Sequence, residues 1–161
     1  MTRTLAARIQ LLVLDVDGVL TDGRLWFSAD GEALKAFHVR DGAGIKAVLA
    51  AGIQVAIISG RESMMVSRRA AELGITHVHQ GVSDKAAALT TLMGRLRCAK
   101  DATACVGDDT PDLSMMALSA LPVAVADAHP AVRAQALLIT EAKGGAGAVR
   151  EVCDLLLSAR Q

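Results

Sequence analysis

Apolar runs of strand length alternate with helix-spaced apolar positions along the whole chain. Residues Leu11, Leu12, Val13 and Leu14 are four apolar residues in succession. Such a run suits a strand buried on both faces, as in a parallel sheet under helices. Comparable runs lie at 53–58, 102–106 and 122–126, with shorter ones at 75–79 and 137–139. Between them, Ile45, Val48 and Leu49 fall on one helical face, as do Val66, Ala70 and Leu73. Gly52 and Gly74 stand where C-terminal helix caps belong. Ser83 or Asp84 caps a helix running to about Leu96, and Pro111 suits the first position of another reaching about Ala117. A short helix follows His129 and Pro130. After the flexible turn at 144–147, Val149, Val152, Cys153 and Leu156 form the stripe of a final helix. The alternation predicts an α/β fold: one domain over 1–161, a doubly wound, mainly parallel sheet with helices on both faces.

One stretch departs from this rhythm. Asp30 and Gly31 separate two short β-prone runs, which predicts a hairpin inserted at about 24–39. It carries Trp26, Phe27 and Phe37, all the aromatic residues of the chain. A two-stranded ribbon buries little by itself. Its aromatic residues are expected on the body or on another subunit.

The strand ends carry the chemistry. The run at 11–14 ends in Asp15, Val16, Asp17 and Gly18, and the run at 102–106 ends in Gly107, Asp108 and Asp109. A carboxylate at the mouth of a buried strand is costly unless compensated. With strand order 3-2-1-4-5, the first and fourth strands are neighbours at the switch point, where ligands bind. Asp15, Asp17, Ser59, Lys85, Asp108 and Asp109 would converge on that edge. Carboxylates so gathered call for a divalent cation, and Mg²⁺ takes a few carboxylate oxygens with waters and a phosphate oxygen. Lys85, in the first turn of its helix, needs an anion nearby or is simply solvated. With Ser59 it suits phosphoryl oxygens. A surplus Asp can be a nucleophile that forms an aspartyl-phosphate. Metal contact favours ionised Asp15; Asp17, turned away at Gly18, can hold the proton for a leaving alcohol.

Composition narrows the partners. Among 161 residues, 52% are hydrophobic and the formal net charge is zero, with no long basic run and no Tyr. Nucleic acid is not expected as a partner. Neither a spanning run nor a leader h-region is present, so the protein is expected to be soluble and cytoplasmic, away from membranes. The three cysteines, Cys98, Cys105 and Cys153, lack metal-ligand spacing and read as reduced thiols, two of them buried. Met64, Met65, Met115 and Met116 are expected to fill core gaps. Arg68 and Arg69 read as a solvated face, His129 as a loop residue, and His77 with His79 as one exposed and one satisfied histidine rather than a zinc pair.

Asp15 to Thr21, Ser59 to Arg61, Lys85, and Gly107 to Asp109 with Asp112 resemble, in order, the motifs of the haloacid dehalogenase superfamily of phosphatases. Residues 17–23, 37–42 and 145–152, with no cap domain, are similar to its capless 3-deoxy-D-manno-octulosonate 8-phosphate phosphatase family. The resemblance covers nearly the whole chain. It implies hydrolysis of that sugar-acid phosphate, a step in lipopolysaccharide sugar biosynthesis, with Asp15 as nucleophile and Asp17 as general acid and then base. It further implies Mg²⁺ on the Asp15 carboxylate, the Asp17 carbonyl and Asp108, with Asp109 and Asp112 as ligand or behind the ligands. Ser59, Gly60 and Lys85 would hold the phosphoryl group, and Arg61 with Arg40 the sugar acid. A homotetramer is implied, the hairpin of one subunit covering the site of the next. His38 stands where relatives often carry Asn, and any covering tail after Leu157 is expected to be short.

Other readings remain. A nine-carbon keto-sugar-acid phosphate is the rival substrate. A catalytically silent oligomerisation module would not need Asp15, Asp17, Lys85 and Asp108 intact. A receiver-type signalling domain would lack the second Asp and the hairpin.

Overall fold

The computed structural model describes residues 2–161. Eight strands and seven α-helices follow in chain order: α1 (Thr2–Ala6), β1 (Leu11–Leu14), β2 (Trp26–Ser28), β3 (Gly31–Leu34), α2 (Val39–Ala50), β4 (Gln54–Ile58), α3 (Met64–Leu73), β5 (His77–His79), α4 (Lys85–Leu96), β6 (Thr103–Gly107), α5 (Leu113–Met116), β7 (Leu121–Ala124), α6 (Pro130–Gln135), β8 (Leu138–Ile139) and α7 (Ala148–Ser158).

Six strands form one sheet in the order β5-β4-β1-β6-β7-β8, every pair parallel. β1 lies between β4 and β6, with Leu14 level with Ile57 on one side and Val106 on the other. That register brings Asp15, Ser59 and Asp108 out at the same edge. Helix α2 packs on α7 and α3, and α4 packs on α5 and β4. All four residues of β1 are fully buried, which is why the run is apolar without alternation.

The hairpin forms a separate antiparallel pair of β2 and β3. Phe37 packs on the core, while Trp26 is 49% and Phe27 63% exposed. Of the aromatic residues, only Phe37 finds cover within the chain.

Some local expectations hold and others are corrected. Helix α1 has no periodic signal; it is held by burial of Ala6, with Ile9 buried just beyond. The helix expected from Pro111 to Ala117 divides into a 3₁₀ turn (Thr110–Asp112) and α5, because the Asp112 side chain draws the preceding backbone inward. Met115 and Met116 are buried, but Met64 is 84% exposed and Met65 half-buried at the start of α3. All three cysteines are buried and free, and burial pushes the Cys105 and Cys153 thiols up to about 12. His129 caps α6, its Nδ1 accepting from the Ala131 N–H. Arg69 is half-buried and bonds Glu72 at 2.9 Å, whereas Arg68 is exposed. His77 and His79 are both half-buried, with His77 Nε2 3.3 Å from Gln54 Oε1. Among the described residues, no helix is long and apolar enough to cross a membrane.

Candidate active site

Asp15 follows β1 directly, its N–H donating to the Val106 carbonyl. The chain must then leave the sheet at once. It does so in a tight loop in which the N–H groups of Val19, Leu20 and Thr21 all donate to the Val16 carbonyl. The Thr21 hydroxyl accepts from the N–H groups of Gly18 and Gly23. Gly18 adopts φ +91°, and a Cβ there would collide with the Asp108 carboxylate. The glycine therefore lets two acidic strand ends approach each other.

A second glycine contact braces this loop from behind. A Cβ on Gly144 would run into the Gly18 carbonyl, and the Gly145 N–H donates to Val19 O at 3.0 Å.

Lys85 enters from the start of α4, which Asp84 caps by accepting from the Ala87 N–H. Its buried ammonium donates to Asp15 Oδ1 at 2.7 Å and Asp112 Oδ1 at 2.6 Å. Burial alone would lower the Lys85 pKa, but Asp15 and Asp112 outweigh it and the net shift is upward. The anion that its helix position calls for is thus supplied within the chain. Asp112 Oδ2 also accepts the N–H groups of Asp108 at 2.9 Å and Asp109 at 3.3 Å. Asp109 turns to its own helix end, accepting from Thr110 N–H at 2.7 Å.

Ser59 directly follows β4, buried, and its Oγ accepts from the Arg61 N–H. Asp15, Asp17, Ser59, Gly60, Arg61, Lys85, Asp108, Asp109 and Asp112 line one cleft of about 340 Å³. Arg40 is not among them: it is exposed in the first turn of α2, its guanidinium directed to Gly147.

Asp15 and Asp17 take different partners. The Asp17 carboxylate is bonded to Lys35 and lies 3.7 Å from Arg61 Nε. The turn at Gly18 thus sends the two side chains to different partners, Asp15 to Lys85 and Asp17 to Lys35.

Oxygens of Asp15, Asp108 and Asp112 lie within 4.8 Å of one another. Burial and the Asp112 charge raise Asp15 to about 6; burial and the Asp15 and Asp112 charges raise Asp108 to about 8. Carboxylates held this close are relieved by a hard cation, and oxygen donors suit Mg²⁺. Asp112 spends both oxygens on Lys85 and the backbone, which leaves Asp15 and Asp108 to face an ion.

Residues 77–152 match the profile of the haloacid dehalogenase-like hydrolase family. The 3-deoxy-D-manno-octulosonate 8-phosphate phosphatase of Yersinia pestis is 51% identical over 155 residues, spanning 96% of this chain and 83% of the relative. This chain belongs to the 3-deoxy-D-manno-octulosonate 8-phosphate phosphatase family of haloacid dehalogenase-like hydrolases. A crystal structure of the Yersinia pestis phosphatase superposes with a TM-score of 0.97 at 50% identity, over 99% of this chain and 86% of that one. The phosphatase of Moraxella catarrhalis, solved with a magnesium ion, a phosphate ion and a KDO molecule, has a TM-score of 0.96 at 43% identity, over 99% and 91% of the two chains.

The parallel six-stranded sheet with its added hairpin is thus the fold of this phosphatase family. Two site residues escaped sequence reasoning. Lys35 and Glu32 stand three positions apart on the hairpin, and their ion pair at 3.0 Å reaches Asp17. The available signal was a charged pair in a ribbon otherwise noted for its aromatic residues.

Proposed function

We propose that this chain is a Mg²⁺-dependent phosphatase that hydrolyses 3-deoxy-D-manno-octulosonate 8-phosphate to the free sugar acid and phosphate. The observation that carries it is the meeting of Asp15, Lys85 and Asp108 in one cleft, in a chain half identical to phosphatases of that name.

The reaction runs in two displacements. An Asp15 carboxylate oxygen attacks phosphorus in line with the sugar oxygen, whose bond to phosphorus breaks. Asp17 gives its proton to the departing oxygen, leaving an aspartyl-phosphate on Asp15. Ionised Asp17 then takes a proton from a water whose oxygen attacks the same phosphorus. The bond to Asp15 breaks, phosphate leaves and the carboxylate is restored. Lys85, Ser59 and the Gly60 backbone hold the phosphoryl oxygens. The Asp15 carboxylate, the Asp17 carbonyl and Asp108 would hold Mg²⁺, supported by Asp112 and Asp109. The ion neutralises charge on the transferring group when bound.

In this reading residues 1–161 act as one capless phosphatase domain in the cytoplasm, serving lipopolysaccharide sugar synthesis. The exposed Trp26 and Phe27 support a homotetramer in which each hairpin covers a neighbouring site. Arg61 meets the sugar acid; Arg40, outside the cleft, reaches it only through a neighbouring subunit.

The test is phosphate release from the octulosonate phosphate beside a panel of sugar phosphates, a nine-carbon keto-sugar-acid phosphate included, with Mg²⁺ and with chelator. Fast, metal-dependent release selective for the octulosonate, lost in Asp15→Asn, is expected. Preference for another phosphate moves the substrate and keeps the mechanism. Folded protein with metal and no release from any member overturns the enzyme reading.

A further inference from the structure

The hairpin meets the cleft through a closed ring of four ionisable side chains. Lys35 bonds Asp17 on one side and Glu32, at 3.0 Å, on the other. Arg61 closes the ring, its guanidinium 3.5 Å from Glu32 and 3.7 Å from Asp17. Basic and carboxyl side chains alternate around it.

Its members are not held alike. The Lys35 side chain is 1% exposed and that of Arg61 44%. A lysine so buried is rare unless paired, and here both partners are carboxylates of its own chain. Lys35 therefore faces inward rather than toward incoming substrate. Arg61, exposed and at longer range, can leave the ring while Asp17 keeps its lysine.

We infer that Lys35 is a positioning residue: it holds the Asp17 carboxyl against the hairpin and apart from the Asp15–Asp108 pair. This rests on the proposed role of Asp17 as the acid for the leaving alcohol. The Asp17 side chain stands on a loop that turns at the next residue, so its direction depends on what grips it. Lys35 directly follows β3, and an ordered hairpin thereby sets where the acid points.

The leaving group tests this. A sugar alcohol needs a proton as it departs, whereas p-nitrophenolate leaves as the anion. The ratio kcat/KM counts only steps through phosphoryl transfer to Asp15, so it reports Asp17 as acid and omits its later work as base. Octulosonate 8-phosphate, a carboxylate-free alkyl phosphate and p-nitrophenyl phosphate are compared for wild type, Lys35→Met, Glu32→Gln and Asp17→Asn, with Mg²⁺ saturating. Lys35→Met is expected to lower kcat/KM about 10- to 100-fold for both alkyl phosphates and less than about threefold for p-nitrophenyl phosphate. Glu32→Gln, which removes one anchor of the lysine with little change of shape, should shift the same ratio in the same direction by less. It reads the effect even where Lys35→Met does not fold.

Loss confined to the octulosonate would make Lys35 a contact to the sugar carboxylate and overturn the inference. Equal loss for all three phosphates would make its role structural, and no loss would leave it idle; either overturns it. Asp17→Asn separates the two levels. If that variant discriminates between leaving groups and the Lys35 and Glu32 variants do not, the positioning role alone fails. If Asp17→Asn does not discriminate, the reading of Asp17 as acid fails first.

Discussion

Asp112 holds Lys85 with one oxygen and the backbone of the neighbouring strand end with the other. Its Oδ1 accepts from the ammonium at 2.6 Å, and its Oδ2 accepts the Asp108 N–H at 2.9 Å. One carboxylate so joins the Lys85 ammonium to the loop bearing Asp108. Replacing it strips a buried ammonium of a partner, which costs on the order of 3 kcal/mol. Asp112→Ala should show that loss in urea unfolding and a turnover at least about tenfold lower. Wild-type stability in the variant would mean that Lys85 is satisfied by Asp15 alone.

The metal-free protein should lose stability as pH rises from about 4 to about 8, because Asp15 and Asp108 outweigh the opposite contributions of Glu32 and His79, whose pKa values are lowered. Asp15 is raised from 3.8 to about 6 and Asp108 from 3.8 to about 8. Unfolded, both ionise near their ordinary values. Between those values and the raised ones the folded state holds more protons, so rising pH favours unfolding. Bound Mg²⁺ ionises both carboxylates and stabilises the fold by mass action, flattening the slope. Burial raises Asp41 as well, and its contribution of the same sign remains with metal present. Melting temperatures across this range, in chelator and in Mg²⁺, check the sign; a chelator curve that climbs with pH contradicts it.

The glycine turn at 144–145 should matter to activity although it lies outside the cleft. A Cβ at Gly144 meets the Gly18 carbonyl, with no slack on the loop side. Gly144→Ala is expected to cost about 1–3 kcal/mol and to displace the loop that carries Asp17. Val152→Ala, buried in α7, supplies a comparison of similar stability cost. Turnover should fall several-fold more in Gly144→Ala than in Val152→Ala.

Trp26 and Phe27 should govern assembly and not folding. They are 49% and 63% exposed on a ribbon whose charged ring already ties it to the body. Trp26→Ser with Phe27→Ser should convert the proposed tetramer to smaller species in light scattering behind size exclusion. The far-ultraviolet dichroism should stay unchanged. A persistent tetramer would place the contact elsewhere.

Much of the fold was legible because its signals are local. The apolar run at 11–14 identifies β1, and the helical spacing of Val66, Ala70 and Leu73 identifies α3. Alternation of such segments leaves few topologies, and the observed sheet order continues the expected one. Asp15, Ser59, Lys85 and Asp108 could be read because each sits at the end of a strand or the start of a helix. An element boundary converts position in sequence into position in space. Met64 was misread for the converse reason: a methionine suits a core gap or a surface, and its packing neighbours alone decide between them.

The sequence by itself determined which side chains crowd one edge of the sheet, since strand length, register and helix caps are encoded within a few residues. Tertiary structure alone decided how those side chains pair. Lys35 reaches Asp17 across 18 residues, Lys85 reaches Asp112 across 27, and Arg40 stays outside the cleft. Such pairings depend on the path of the intervening loops and on which face each turn presents. Those are settled by the packing of the whole chain, where a change of one turn redirects a charge without altering any local pattern.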